Sequence, residues 1–208
     1  MNYIYQLFFK SVKDGKIEIV NMFIINGVNV NSRDKYKDTA LHHASAAGHK
    51  DIVKFLLECG ALVDSNDSDN PPLQLAVLYN HNEIVKLLLS YNADPNAFDY
   101  SGLTALHLSA EKGNIETLEL LLEKNGKVDI LNNKTGNSLI HSAAIGITCG
   151  NNNCWDLIQY LLKNYREQLD PFCVNNAGKQ PGDILDNYDW SFAEKYEDLL
   201  ENLGYFND

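Results

Sequence analysis

Apolar residues along this chain fall into short blocks with the three- and four-residue spacing of an amphipathic helix. The blocks 52–57, 84–89 and 115–122 carry Ile, Val and Leu on one stripe, with charged residues between them. Another short apolar block precedes each of these, and a polar junction such as Gly48-His49 separates the two. The pattern predicts pairs of short helices, each with one buried face, along most of the chain.

A four-residue motif marks the first helix of each pair. It is Thr-Ala-Leu-His at 39–42 and again at 104–107, with the variants Pro-Pro-Leu-Gln at 71–74 and Ser-Leu-Ile-His at 138–141. The third residues of these motifs are separated by 32, 33 and 34 positions. A nearly constant period of this length indicates a repeat array, in which each pair of helices buries its apolar face against its neighbours.

The period and the motif together resemble the ankyrin-repeat family, whose unit of about 33 residues carries a Thr-Pro-Leu-His signature. The resemblance covers nearly the whole chain, as five to six repeats. It implies a mainly α fold, an ankyrin-repeat solenoid whose helix-turn-helix units are joined by β-hairpin-like turns and capped at both ends. One domain is expected over 1–208, with a cap repeat at 1–29, regular repeats at 30–63, 64–95 and 96–128, a repeat with an insert at 129–168, and a degenerate repeat with a C-terminal capping helix at 169–208.

Three departures from the period carry structural expectations. The first repeat lacks the motif, as expected of a terminal repeat with a solvent-compatible outer face. The third repeat is one residue short, which we place in the turn 67–70. The repeat 129–168 has about six extra residues around 147–154, and we expect them to bulge out between its two helices.

Composition and charge narrow the classes of partner. The chain has 17 Lys and Arg against 28 Asp and Glu, a net charge of −11, which argues against nucleic acid because phosphate binding needs clustered basic residues. No window approaches 18 consecutive apolar residues, and the start lacks the features of a secretory signal. We therefore expect no membrane partner and a reduced, cytoplasmic compartment.

The histidines are the first candidates for catalysis or metal binding, but their equal spacing suggests a role in each repeat. By resemblance, His42, His107 and His141 hydrogen-bond between neighbouring turns, and Thr39, Gly48 and Gly113 belong to the same structural motif. His43 has no counterpart in the other repeats. Since no phosphate-binding loop, dinucleotide fingerprint or nucleophile elbow is present, we predict a protein that is not an enzyme, with no catalytic residues, cofactor or metal.

Two of the cysteines leave a chemical role for the insert open. Cys149 and Cys154 lie five residues apart in the Asn-rich insert, so a metal site, a disulfide or a nucleophile paired with His141 could be centred there. The chain has no Cys-x-x-Cys motif, and two unlinked thiols are the favoured interpretation.

The resemblance also implies a binding surface. In a stack of ankyrin units, the turn tips and the outward positions of the first helices lie on one concave side. The candidate partner-binding residues at those positions are Arg33, Lys35, Tyr36, Asp38, Leu78, Tyr79, Phe98, Tyr100, Leu103, Glu111, Lys112, Lys134, Asn137 and Ile145. Half of the set is apolar or aromatic, which is the composition of an interaction hot spot.

The sequence thus predicts a non-catalytic, monomeric protein-protein interaction module that binds a protein of unknown identity. An alternative is a type IV secreted or viral ankyrin effector that acts on a host protein. The 25 asparagines suggest an AT-rich genome, and the acidic tail 194–208 resembles a type IV secretion signal. The same tail would also serve as a capping helix.

Overall fold

A computed structural model describes residues 3–65 and 70–206, and these ranges contain twelve helices and no strand. The helices are α1 (Tyr3–Lys13), α2 (Ile17–Ile25), α3 (Ala40–Ala47), α4 (Lys50–Glu58), α5 (Pro72–Leu78), α6 (Asn82–Ser90), α7 (Ala105–Glu111), α8 (Ile115–Glu123), α9 (Leu139–Thr148), α10 (Asn153–Asn164), α11 (Pro181–Asp186) and α12 (Trp190–Asn202). The predicted mainly α architecture is confirmed. The shortened turn at 67–70 lies outside the described residues except for Asn70.

The N-terminal unit, residues 1–100, contains three helical hairpins. The first helices α1, α3 and α5 pack side by side, and the second helices α2, α4 and α6 pack in a parallel row. Fully buried side chains fill the space between the rows, among them Phe8, Leu41, Leu56, Leu73 and Leu88. This is the burial that the helical spacing of apolar residues predicts.

The C-terminal unit, residues 101–208, is built around α9, which packs against α7, α10 and α11. Its core includes Leu106, Leu118 and Ile140. Helix α12 closes the unit by packing on α11 and burying Tyr196 and Leu200, as the apolar face of the tail predicts. The repeat boundaries and the single domain expected over 1–208 remain predictions.

The turns ahead of the first helices are held by an Asp or Asn side chain. Asp34 Oδ1 accepts N–H bonds from Tyr36 (2.8 Å) and Asp38 (3.1 Å). Asn132 and Asn175 each accept two backbone N–H bonds in the same way within their own turns. A short polar side chain that accepts from its own turn mimics a backbone turn and fixes its shape. The tips of the hairpin-like turns are thus presented in a defined conformation.

The insert of the repeat 129–168 does not form the bulge expected from its sequence. Helix α9 has 10 residues and α10 has 12, against 7 for α7 and 9 for α8. Most of the added length therefore extends the two helices, and only residues 149–152 connect them. The prediction of a loop was wrong because Ile147 and Cys154 are apolar and lie on the buried faces of the lengthened helices.

The outer side of α1 and α2 also differs from the polar cap that was expected. Tyr3 is 70% exposed, Met22 62% and Ile25 76%. Ile19 is half-exposed, whereas Ile52, 33 residues later, is buried because α2 packs against α4. The first hairpin therefore presents an apolar surface at a position that a stacked hairpin covers elsewhere in this unit.

The junctions of the first two hairpins each pair a glycine with a histidine of the next hairpin. Gly48 has φ +80°, a left-handed conformation that favours glycine, and a Cβ there would lie 2.7 Å from Cε1 of His81. The His81 ring bonds to the carbonyl of Ala46 (3.2 Å). Gly15 and His49 repeat the arrangement, and His49 Nε2 lies 2.9 Å from the carbonyl of Lys13. Close packing, and not only backbone conformation, requires glycine here.

We expect Gly48→Ala to destabilise the protein more than Gly60→Ala. Both glycines are left-handed, so each substitution costs about 1 kcal/mol of backbone strain. Only Gly48→Ala also displaces a neighbouring ring, because a Cβ at Gly60 meets nothing within 4 Å. We expect a total loss of roughly 2–3 kcal/mol for Gly48→Ala, measured by urea unfolding at pH 7. Equal losses in the two variants would contradict this packing role.

Candidate protein-binding surface

The motif histidines fix the positions of the turns. His107 Nδ1 accepts the N–H of Thr104 (3.2 Å), so its proton must lie on Nε2. Nε2 in turn donates to the carbonyl of Asn137 in the next turn (3.1 Å). His141 does the same, with Nδ1 3.2 Å from the N–H of Ser138 and Nε2 2.8 Å from the carbonyl of Lys179. One neutral imidazole therefore caps its own helix and holds the next turn.

Burial keeps these imidazoles uncharged. It lowers the pKa of His42 and of His107 to about 4, although backbone hydrogen bonds to Ser65 and Asn137 act in the opposite direction. Both rings are fully buried, and both ring nitrogens of His107 are hydrogen-bonded. Such side chains are structural, since neither a substrate nor a metal reaches them.

Gln74 takes the place of the motif histidine in the third repeat. Its Nε2 donates to the carbonyl of Ala97 (2.8 Å), 23 residues further on. The hydrogen bond between His42 and the backbone of Ser65 spans the same number of residues. Glutamine therefore supplies the donor to the next turn, while Pro71, which has no N–H, stands at the start of α5.

At the tip of the turn 33–38, the candidate residues point in different directions. Tyr36 is 63% exposed, and the Lys35 ammonium lies 4.6 Å from the centre of its ring. Arg33 instead bonds inward, to Ser65 Oγ (2.8 Å) and the carbonyl of Lys37 (3.0 Å). Of the candidate residues in this turn, Lys35 and Tyr36 are therefore the ones exposed to solvent.

The remaining candidates in the N-terminal unit are exposed apolar side chains. Tyr79 is 55% exposed and stacks on His81 at a centroid distance of 6.4 Å. Tyr100 is 63% exposed, and Leu78 and Phe98 also present large surfaces to solvent. The structure thus places Tyr79 at the end of a first helix and Phe98 and Tyr100 in a turn, as expected from their repeat positions.

The candidates in the C-terminal unit are less exposed. Lys112 and Lys134 face solvent, and Leu103, Glu111 and Ile145 are half-buried. Asn137 is buried, and this corrects the expectation that it lies on the surface. Its Oδ1 accepts from Asn175 Nδ2 (2.8 Å) while its carbonyl accepts from His107.

His43, which had no predicted role, anchors the turn 33–38 to α1. Its Nε2 lies 2.9 Å from Asp34 Oδ2, and its ring meets the edge of Phe9 at 5.5 Å. Asp34, Asp38 and His43 offer ligand atoms within 4.8 Å of one another, the arrangement closest to a metal centre among the described residues. The oxygens of Asp34 already accept from Tyr36, Asp38 and His43, so we interpret the group as a turn anchor.

The cysteines of the insert are unlinked thiols with different surroundings. Cys154 is fully buried, and its Sγ donates to the carbonyl of Glu111 (3.1 Å). Burial raises the pKa of Cys154 to about 12, so the thiol is protonated at neutral pH and is a poor nucleophile or metal ligand. Cys149 is exposed on the connection between α9 and α10. The geometry does not support the alternative of a reactive Cys149–Cys154 pair.

Comparison with known sequences agrees with this architecture. The sequence profile of the family described as ankyrin repeats, in three copies, matches residues 8–99 and 97–171. The chain belongs to the ankyrin-repeat family, whose members are protein-protein interaction modules. In the described ranges, no helix is long and apolar enough to cross a lipid bilayer.

Relatives include proteins of viruses and of animals. An ankyrin-repeat protein of Acanthamoeba polyphaga mimivirus is 26% identical over 88% of this chain and 26% of its own length. An ankyrin-repeat protein of Fowlpox virus is 30% identical over 59% of this chain and 29% of its own. A Danio rerio protein named as a palmitoyltransferase is 32% identical over 66% of this chain and 22% of its own. The chain spans less than a third of each of these relatives.

Stability should fall as the pH is lowered from about 6.5 to 5. The unfolded chain protonates its histidines near pH 6.5, whereas native His42 and His107 have pKa values of about 4. The unfolded state thus binds more protons in this window, so the free energy of unfolding decreases by a few kcal/mol. Urea midpoints at several pH values measure the decrease. His107→Gln should make it less steep, because it removes one of the histidines whose pKa burial lowers, and an unchanged slope would contradict the assignment.

The thiols should differ in reactivity with a thiol reagent at pH 8. We expect Cys59 and Cys149, both exposed, to react within minutes, and Cys154 to react at least 100-fold more slowly until the protein is unfolded. The comparison of Cys154→Ser with Cys149→Ser assigns each phase. Fast labelling of Cys154 in the folded protein would contradict its burial.

Proposed function

We propose that this chain binds a protein partner through the turn tips and first helices of its N-terminal unit. The observation that carries the proposal is the exposure of five large apolar side chains at those positions, namely Tyr36, Leu78, Tyr79, Phe98 and Tyr100. Water exposure of such side chains is unfavourable, and Tyr is enriched among residues that dominate binding energy. A partner that covers them gains apolar contact without any rearrangement of the core.

Some of the candidate binding residues form hydrogen bonds within the protein, and we propose that they support the surface instead of contacting the partner. Arg33 bonds to the next turn, so we assign it to positioning the surface, and Asn137 joins two turns of the C-terminal unit. Asp38 is half-buried and belongs to the turn anchored by Asp34. In the C-terminal unit, we propose peripheral contacts for Leu103, Glu111, Lys112, Lys134 and Ile145.

A second candidate function is that of an effector acting on a host protein. It is supported by the mimivirus and Fowlpox virus relatives and by the 25 asparagines. The tail 194–208 contributes buried Tyr196 and Leu200, so its deletion would also remove a structural element. Neutralising the exposed acids of α12, Glu194→Gln, Glu197→Gln, Asp198→Asn and Glu201→Gln, retains that core. If a reporter fusion of this variant is still delivered by a type IV system as well as the wild type, the acidic signal has no role.

Tyr79→Ala combined with Tyr100→Ala should abolish capture of a partner from host or source-cell lysate. Each truncation at a binding hot spot costs about 1–2 kcal/mol, so the pair should weaken affinity at least tenfold. Because both residues are largely exposed, the melting temperature should change by only a few degrees. Mass spectrometry of captured proteins and titration of the purified partner provide the measurements.

The matched control is Tyr91→Ala combined with Tyr188→Ala. These tyrosines are also exposed, but Tyr91 follows a second helix and Tyr188 lies between α11 and α12. The control should keep the partner that Tyr79→Ala/Tyr100→Ala loses. A partner retained equally by both double variants would refute the proposed surface.

A further inference from the structure

A cleft of 510 Å³ lies in the N-terminal unit between α1 and the turn 34–36. Helix α1 contributes one wall and the turn the other, and the cleft is open to solvent. The residues that line it are Gln6, Phe9, Lys10, Lys13, Asp14, Asp34, Lys35 and Tyr36. Tyr36 thus belongs both to this cleft and to the proposed partner-binding surface.

The cleft is locally basic in a chain whose net charge is −11. Lys10, Lys13 and Lys35 are exposed at its edge. The two acids of the lining are already engaged, since Asp14 pairs with Lys16 at 3.3 Å and both oxygens of Asp34 accept hydrogen bonds. Among the residues that the structure describes, Lys10 and Lys13 form no ion pair. Their ammonium groups are therefore available to an external anion.

The cleft also has apolar lining, from Phe9 and the ring of Tyr36. Phe9 is 3% exposed and forms the floor, while Tyr36 is 63% exposed at the edge. The methylene stems of lysines cover apolar surface and keep their ammonium groups in water. Burial, followed by the nearby charge of Lys13, lowers the pKa of His43, which contacts Phe9 from below. Positive charge and apolar surface therefore occur within one short cleft.

We propose that this cleft binds a short acidic segment of the partner protein. Asp or Glu side chains of that segment pair with Lys10, Lys13 and Lys35, and an apolar side chain between them packs on Phe9 and Tyr36. Three separate ammonium groups on flexible stems suit successive carboxylates along a peptide. This inference rests on the proposed function and adds the chemistry of the partner.

The test is fluorescence anisotropy of the full chain with a fluorescein-labelled decapeptide made of Asp, Glu and Leu. The control peptide replaces Asp and Glu with Asn and Gln. In 50 mM NaCl, we expect the acidic peptide to bind at least tenfold more tightly than the neutral one. In 500 mM NaCl, the difference should largely disappear, because salt screens exposed charge pairs.

Protein variants locate the binding. Lys10→Gln/Lys13→Gln/Lys35→Gln should weaken the acidic peptide about tenfold, since each exposed ion pair contributes a two- to threefold change. The matched control is Lys54→Gln/Lys124→Gln/Lys163→Gln, which removes the same charge from exposed positions on or after second helices and should bind like wild type. Tyr36→Ala should weaken binding about threefold. Circular dichroism checks that all variants are folded.

With the peptide probe, three results would overturn the inference. They are equal binding of the acidic and neutral peptides, equal loss in the two triple-lysine variants, and full competition by a single-stranded oligothymidine, which would indicate a general polyanion surface. A partner that depends on Tyr79 and Tyr100 but is kept by Lys10→Gln/Lys13→Gln/Lys35→Gln would refute the basic cleft as a binding site and leave the proposed function standing. Cleft-dependent peptide binding without such a partner would support the cleft and refute the aromatic surface.

Discussion

The structure depends on a buried, neutral imidazole that serves two hydrogen bonds at once. In His107 and His141, Nδ1 accepts an N–H at the start of its own helix and Nε2 donates to the carbonyl of the next turn. Because the ring is rigid, the start of one helix fixes the distance to the following turn. An uncharged ring is required, since a protonated Nδ1 could not accept. In the N-terminal unit, Gln74 donates the corresponding bond to the carbonyl of Ala97, next to the turn that carries Phe98 and Tyr100.

Sequence periodicity was sufficient to predict the helices and their buried stripes, because burial in a repeat depends on spacing more than on particular neighbours. The resemblance to ankyrin repeats was what placed Tyr36, Tyr79 and Tyr100 outside the core. The insert was misjudged, since its Asn-rich composition suggested a loop although Ile147 and Cys154 continue the apolar faces of two helices.

Other features of the site could not be predicted, because they depend on contacts between residues that the repeat period does not relate. Asn137 has the repeat position of a surface residue but is buried by its bond to Asn175, 38 residues away. His43 has a partner in Asp34 and a neighbour in Phe9, and neither pairing recurs in the other repeats. The basic cleft likewise combines Lys10 of α1 with Lys35 of a turn. Such features arise where one repeat differs from the others, and those differences also give an ankyrin protein its specificity.

The two ends of the chain have different outer surfaces. Helix α12 covers its neighbour and buries Tyr196 and Leu200, while α1 and α2 leave Met22 and Ile25 open to water. Ile19 occupies the position at which Ile52 is covered by a stacked hairpin. A hairpin of matching sequence joined ahead of α1 would therefore find an apolar packing surface already in place. In terms of protein engineering, α1 and α2 offer a surface on which the array can be lengthened.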